Sequence, residues 1–239
     1  MTDVHTHTTF STDGIDDIAV MYARAVEMGI AYWGISEHFD YDYLVNHIRF
    51  KGEPIDYTDP DKYFPAAKKL QAESKDVRIL VGGELGYAHD RMAHAIYMNL
   101  IEQYQPDFIV NSVHTNGKYD FYEEEAFAGK DKKTAYGEYL ALVRESLDAY
   151  YNYDIVGHIG YCCRFAPYED RKMRYEEFAP QLDDILKTII AKGKILEANS
   201  SVKGMDTSFL PFEEIFKRYF ELGGREVSFA SDAHGANRL

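Results

Sequence analysis

Imidazole and carboxylate side chains recur in this sequence in short phrases, most of which close a run of apolar residues. VHTH sets His5 and His7 two apart, with Asp13 in the loop that follows; SEH ends on His38 and GGEL carries Glu84. NSVH ends on His114, VGH ends on His158, and SDAH carries Asp232 and His234. A lone histidine at a strand end is more often a capping or core residue than a ligand. His-x-His alone is also weak, because strand alternation puts both side chains on one face whatever their role. Here, however, six of the nine histidines fall at such ends; His47, His89 and His94 are the others, expected at the surface or behind the ligands. Nine donors exceed what one ion needs. Imidazole and carboxylate without thiolate suit two or three divalent ions such as Zn, Fe or Mn. Clustered divalent ions polarise a phosphoryl oxygen, generate hydroxide near neutral pH and steady a leaving oxygen, so phosphoester hydrolysis is the favoured chemistry.

Gathering residues so far apart in sequence requires strands that all finish on one side. Apolar stretches at 2–5, 31–36, 78–83, 107–112, 154–157, 194–197 and 226–230 read as seven strands. Between them, helical patterns occupy 15–28, 61–74, 90–104, 132–151, 175–192 and 211–222. In the first, Ile15, Ile18, Tyr22, Ala25 and Val26 fall at helical spacing and Gly29 supplies the stop; Gly193 and Gly223 stop the last two. Strand-helix alternation implies a parallel sheet with right-handed crossovers. The first strand is not followed by the G-x-G-x-x-G turn of a doubly wound sheet. The prediction is therefore a single α/β domain over 1–239, an irregular seven-stranded barrel. The carboxyl ends of its strands open onto one face, where barrel enzymes build their sites.

Bulk properties narrow the partners. No apolar run approaches the roughly 20 residues of a bilayer span, and MTDVHTHTTF lacks the basic start and apolar stretch of a secretory signal. A cytoplasmic protein with no membrane partner is expected. A net charge of −14 disfavours a surface that tracks nucleic acid. It leaves a small phosphorylated substrate open, since divalent ions in a cleft reverse the local potential. The two cysteines, Cys162 and Cys163, are neighbours and build no disulfide framework; they are expected to act as small hydrophobes near the barrel wall.

The phrases HTHTTFSTDG, SEH, GGELGY, NSVH, VGH and SDAH, spread from residue 3 to residue 234, resemble the PHP family (polymerase and histidinol phosphatase). The resemblance implies a distorted (β/α)7 TIM-like barrel. It implies one ion on His5, His7, Glu84 and Asp232, with Glu84 bridging to a second ion on His114 and His158. Asp13, His38 and His234 would hold a third; Asp13 is the ligand that other branches replace. The stretch between His38 and Glu84, PDFIVNSVH and VGHIGYCCRF point to the monofunctional histidinol-phosphate phosphatase branch. Arg164 stands where that branch carries an arginine that contacts phosphate, and its planar fork suits bidentate binding. Asn199 in ILEANSS is a further candidate for substrate contact, and Glu197 for a specificity role at the rim.

The implied reaction is hydrolysis of L-histidinol phosphate to L-histidinol and phosphate, with Arg164, Asp232 and His234 as catalytic residues. A PHP phosphodiesterase or exonuclease and a protein-tyrosine phosphatase would use the same ligands. A non-catalytic metal-binding relative would typically have lost one, and here all nine are present. The sequence stops at SDAHGANRL, five residues after His234. The family continues there into a helix against the first and last strands, so the barrel is expected without that closing helix.

Overall fold

The computed structural model describes residues 1–49, 52–53 and 57–239, so residues 50, 51 and 54–56 of the stretch between His38 and Glu84 lie outside the described residues. The strands are β1 (Thr2–Asp3), β2 (Tyr32–Ile35), β3 (His38–Phe39), β4 (Arg78–Gly86), β5 (Phe108–Ser112), β6 (Ile155–Val156), β7 (Ile195–Asn199) and β8 (Val227–Ala230). All pair in parallel, in the order β1-β2-β4-β5-β6-β7-β8, with β3 on β4. β3 is not an extra stave. Ile35 faces Val81 and His38 faces Glu84, the same offset along the chain, so β2 and β3 are one line interrupted at Ser36 and Glu37. The seven lines close on themselves. Val4 N donates to Phe229 O (3.0 Å), Asp232 N to His5 O (2.9 Å) and His7 N to Ala233 O (2.9 Å). The result is the irregular seven-stranded barrel anticipated from the alternation, in the distorted (β/α)7 form that the resemblance implies.

The helices are α1 (Ile18–Glu27), α2 (Tyr41–Asn46), α3 (Pro60–Glu73), α4 (Arg91–Tyr104), α5 (Lys132–Ser146), α6 (Tyr175–Ala191) and α7 (Glu213–Glu221). Four of them begin on aspartate caps. Asp17, Asp59, Asp90 and Asp131 accept from backbone N–H groups of the first turn that have no helical partner. Asp17 also corrects the expected start of the first helix. Ile15 lies before the cap and is 62% exposed, while Met21 and Ala25 form the buried stripe. Gly193 and Gly223 follow their helices at φ +61° and +99°, as the stops required. The short α2 was not anticipated, and α5 stops at Ser146 instead of continuing to residue 151.

Strand alternation sorts the apolar residues into two cores. One parity, including Trp33, Ile35, Ile79, Val81, Ile109, Val156 and Leu196, packs against the helices in a large outer cluster. The other parity gives a separate small cluster of Val4, Phe108, Val110 and Ile155, with Leu80 and Ile195 against it. Drawn from five strand lines, this second cluster plugs the lower barrel interior. Two residues further along β5 and β7, and four further along β4, the inward positions turn polar, to Ser112, Glu197 and Glu84. Past β8 the chain makes a short 3₁₀ turn, Ala236–Arg238, tied to the loop before α1 by Ala236 N to Asp16 Oδ2 (2.8 Å). Among the described residues, no helix is long and apolar enough to cross a membrane.

Candidate metal centre

The upper interior is organised around Glu84, which lies within β4. Its Oε1 is 2.9 Å from His158 Nε2 and 3.1 Å from His114 Nε2, while its Oε2 is 3.3 Å from His5 Nε2 and 3.7 Å from His7 Nε2. One carboxylate thus turns an oxygen to each of two histidine pairs, and its Oε2 also lies 2.9 Å from His38 Nδ1. Asp232 completes the second group, with Oδ1 3.4 Å from His7 Nε2 and 4.0 Å from His5 Nε2. Asp232 holds this position at φ +54°, a left-handed conformation that few non-glycine residues adopt. A third group lies nearer the surface. His234 Nε2 is 3.0 Å from Asp13 Oδ2 and 3.4 Å from His38 Nε2. His7 stacks on both His38 and His234, with ring centroids 4.1 and 4.2 Å away. All nine sequence-predicted ligands therefore share one rim.

The chemistry of these groups fits divalent cations. His5 Nε2, His7 Nε2 and Glu84 Oε2 are buried without a hydrogen-bond partner although they face one another. Leaving such atoms unsatisfied costs stability, and a shared cation would satisfy all three. Among the described residues, four sets of three donors each lie within 4.8 Å of one another: His7, His38 and His234; His5, His7 and Asp232; His5, Glu84 and His158; His38, Glu84 and His114. Burial alone would raise the Glu84 carboxyl, but the imidazoles of His5, His114 and His38 outweigh it and hold it well below its ordinary range. Burial, with His38 and His234 alongside, pushes the His7 imidazole down to about 3, keeping it in the neutral form that ligates. Burial likewise lowers His158. For Asp232, burial is outweighed chiefly by the Arg164 guanidinium, which keeps the carboxyl well below its usual range.

Behind the ligands stands a layer that aims them, and most of it was not legible in the sequence. Asp40 accepts from His114 Nδ1 (3.0 Å) and lies 3.2 Å from His38 Nδ1. It follows His38 by two in HFD, and that period of two was the available signal. Ser112 Oγ donates to Glu84 Oε1 (2.6 Å). Glu37, fully buried, accepts from the hydroxyls and backbone N–H groups of Thr8 and Ser11, fixing the loop that carries Asp13. Outer partners of this kind set ring orientation and ligand basicity. Two expectations need correction. Glu197 is not a specificity residue at the rim; it is fully buried and its Oε2 lies 2.7 Å from His5 Nδ1. Asn199 is also fully buried, and its amide binds Glu197 and Arg164 behind the cavity wall instead of facing the cavity.

A cavity of about 590 Å³ opens beside the ligands. Arg164, Lys203 and Arg238 bring positive charge to its wall, and Tyr161, Phe165 and Tyr122 bring aromatic surface. Arg164 is buried and donates to Asp232 Oδ2 (2.9 Å) and Asn199 Oδ1 (2.7 Å). Asp120 also lines the cavity; it accepts from the Tyr43 and Tyr161 hydroxyls and sits in a turn with no sequence signal. Of the remaining histidines, His47 and His89 are exposed. His94 departs from expectation: it is buried under Tyr87, Tyr150 and Tyr151, with Nε2 2.7 Å from Ala88 O. Cys162 and Cys163 are buried and free, packed in the outer cluster as expected.

Comparison with known proteins agrees with this geometry. The sequence model of the PHP domain matches residues 3–201. The chain belongs to the PHP family. A probable histidinol-phosphatase of Clostridium acetobutylicum is 31% identical over 237 residues, covering 97% of this chain and 86% of that protein. The histidinol-phosphatase of Lactococcus lactis is 28% identical over 238 residues, covering 99% and 85%. Among solved structures, the histidinol phosphate phosphatase of Lactococcus lactis, complexed with zinc, L-histidinol and phosphate, superposes with a TM-score of 0.84 at 26% identity, covering 98% of this chain and 86% of that one. This PHP chain thus shares its fold with enzymes named for a phosphomonoesterase activity and spans 85–86% of their length.

Proposed function

We propose that this PHP protein hydrolyses L-histidinol phosphate to L-histidinol and phosphate in the cytoplasm, using two or three ions of Zn, Fe or Mn. The observation that carries the reading is Glu84, one oxygen on each of two histidine pairs, beside a cavity to whose wall Arg164, Lys203 and Arg238 contribute. The relatives named for that activity and the solved relative with zinc, L-histidinol and phosphate support it. When bound, the ions supply Lewis acidity and hydroxide at neutral pH.

The protein's own part is to hold and orient. His5, His7, Glu84 and Asp232 would hold one ion, and His114 and His158 a second shared through Glu84. Asp13, His38 and His234 would hold the third, the most exposed; the Asp13 side chain is 52% open to solvent. Arg164, Asp232 and His234 line the cavity as well as the ion positions, and are assigned to the reaction itself. A guanidinium has five N–H bonds, and Arg164 directs one to Asp232 and one to Asn199, so others remain for phosphate oxygens. Lys203 and Arg238 add positive charge to a wall that also carries Asp13, Asp40, Asp120 and Asp232. The imidazole of the leaving alcohol would lie on Tyr161 and Phe165.

The test is phosphate release by metal-replete protein from L-histidinol phosphate, nucleoside monophosphates and phosphotyrosine, with elemental analysis of the same sample. Histidinol phosphate should be turned over fastest, and His158→Ala should abolish release while the protein stays folded. A rate on nucleotides far above that on histidinol phosphate would overturn the assignment.

A further inference from the structure

A buried circuit of polar contacts leaves the metal centre at His5 and returns to it at Asp232. His5 Nδ1 lies 2.7 Å from Glu197 Oε2. Glu197 Oε1 accepts from Asn199 Nδ2 (2.8 Å) and from His158 N (3.0 Å). Asn199 Oδ1 accepts from Arg164 Nη2 (2.7 Å) and from Ser201 N (2.9 Å). Arg164 Nη1 donates to Asp232 Oδ2 (2.9 Å), and Asp232 Oδ1 faces His7 Nε2 at 3.4 Å. Glu197 and Asn199 are fully buried and Arg164 nearly so.

The amide is the only neutral side chain between two charged ones in this circuit, and its orientation is settled by its neighbours. Its oxygen meets two N–H donors. Its nitrogen meets two carboxylates, Glu197 at 2.8 Å and Asp232 at 3.4 Å. A buried guanidinium and a buried carboxylate facing the same residue require one acceptor and one donor there, and asparagine supplies both.

We infer that Asn199 is a positioning residue that couples the anion grip of Arg164 to the hold of His5 on its ion, through Glu197. It touches neither substrate nor ion. One end of its amide holds Arg164 and the other holds Glu197, so each arm depends on a different atom of the same side chain. The inference rests on the phosphatase reading for the role of Arg164 as the anion-binding group.

Two substitutions separate the arms of the circuit. Asn199→Leu keeps the approximate volume and removes both polar ends. Asn199→Asp keeps an acceptor for Arg164 and Ser201 N but sets a further carboxylate against Glu197 and, at longer range, against Asp232. The measurements, on the zinc-loaded protein, are the Kd for inorganic phosphate by calorimetry and the half-time of zinc loss to a chelator. Thermal melting monitors the fold. Asn199→Leu should weaken phosphate binding and shorten the zinc half-time, each by about tenfold. Asn199→Asp should leave phosphate binding within about threefold, the charge-assisted bond to Arg164 being kept, and still shorten the half-time about tenfold. If Asn199→Leu does not fold, the split within Asn199→Asp alone decides. Unchanged zinc retention in both variants, or equal effects on both quantities in Asn199→Asp, overturns the coupling and leaves the phosphatase reading standing. Wild-type protein that binds no phosphate overturns both.

Discussion

The lower and upper halves of the barrel interior are lined by the same strands and the same face, yet they are built on opposite principles. Below, Val4, Phe108, Val110 and Ile155 form a dry plug. Above, two or four residues further on, β4 presents Glu84, β5 presents Ser112 with His114 just beyond it, and β7 presents Glu197 and Asn199, all buried. The plug gains stability from each apolar group removed from water and from close packing. The rim buries charged groups that cost stability unless each is paired, and several ligand atoms have no partner within the protein. Stability therefore resides below and chemistry above. The division can be broken from either side.

The largest effect is expected at Glu84. Glu84→Gln removes the bridging charge, so activity should fall by more than the roughly hundredfold that loss of an outer partner costs. Ion content should fall with it. The ion-free protein, deprived of the carboxylate that the imidazoles of His5, His114 and His38 face, should melt somewhat earlier than the ion-free parent, the loss being limited because those imidazoles can become neutral. Activity, elemental analysis and calorimetry on one preparation would check all three, and a large loss of ion-free stability would defeat the division. The mirror experiment is Phe108→Ala in the plug. It should cost about 3–5 kcal/mol in urea unfolding, as aromatic truncation in a core does. Ion content and turnover per folded molecule should stay near wild type.

These two halves were not equally legible in the sequence. The ligands stood out because a histidine or carboxylate at the end of an apolar run is chemically conspicuous, and strand ends in a parallel barrel must converge. The period of two that places Leu80, Gly82 and Glu84 on one face was likewise readable. What escaped was set by approach in space. Glu197 sits in ILEANSS like any rim candidate, and only the fold shows it turned behind His5. Asn199 was misread for the same reason. Asp120 belongs to a turn, and nothing local says that Tyr43, far back in the chain, donates to it. His94 lies on a helix whose tyrosine surroundings come from distant residues such as Tyr150 and Tyr151. The break in alternation after β1 is also tertiary. Consecutive Val4 and His5 both enter the interior, one in the plug and the other 3.3 Å from Glu84.

Two glycines sharpen the boundary. A Cβ on Gly82 would come within 2.5 Å of the Phe108 ring, in the plug. A Cβ on Gly157 would come within 2.3 Å of Ser112 Oγ, the hydroxyl that donates to Glu84. Each alanine should cost about 1–3 kcal/mol through overpacking. Only Gly157→Ala should also lower turnover, because displacing Ser112 frees Glu84 Oε1. Equal turnover in the two variants, measured at matched ion content, would show that Ser112 does not position the bridge.

A carboxylate outside both halves sets the scale for the smallest effect. Asp183 on α6 receives Arg218 Nε (2.8 Å) and Nη2 (2.7 Å) from α7, with Tyr175 and Lys187 beside it. The bond from Arg218 holds its carboxyl well below the ordinary range. A depressed folded-state pKa means that the stabilisation is present above the unfolded value, near 3.9, and is lost as pH falls through the depressed one. The pair is partly exposed, with Asp183 at 17% and Arg218 at 29%, so screening keeps its contribution small. Asp183→Asn should therefore cost about 1 kcal/mol at pH 7. The gap from wild type should narrow as the pH drops below about 4, read by urea unfolding across that range. Turnover and ion content should not move. A carboxylate paired at the helix surface thus affects stability slightly and chemistry not at all, the reverse of what Glu84 does on the same barrel.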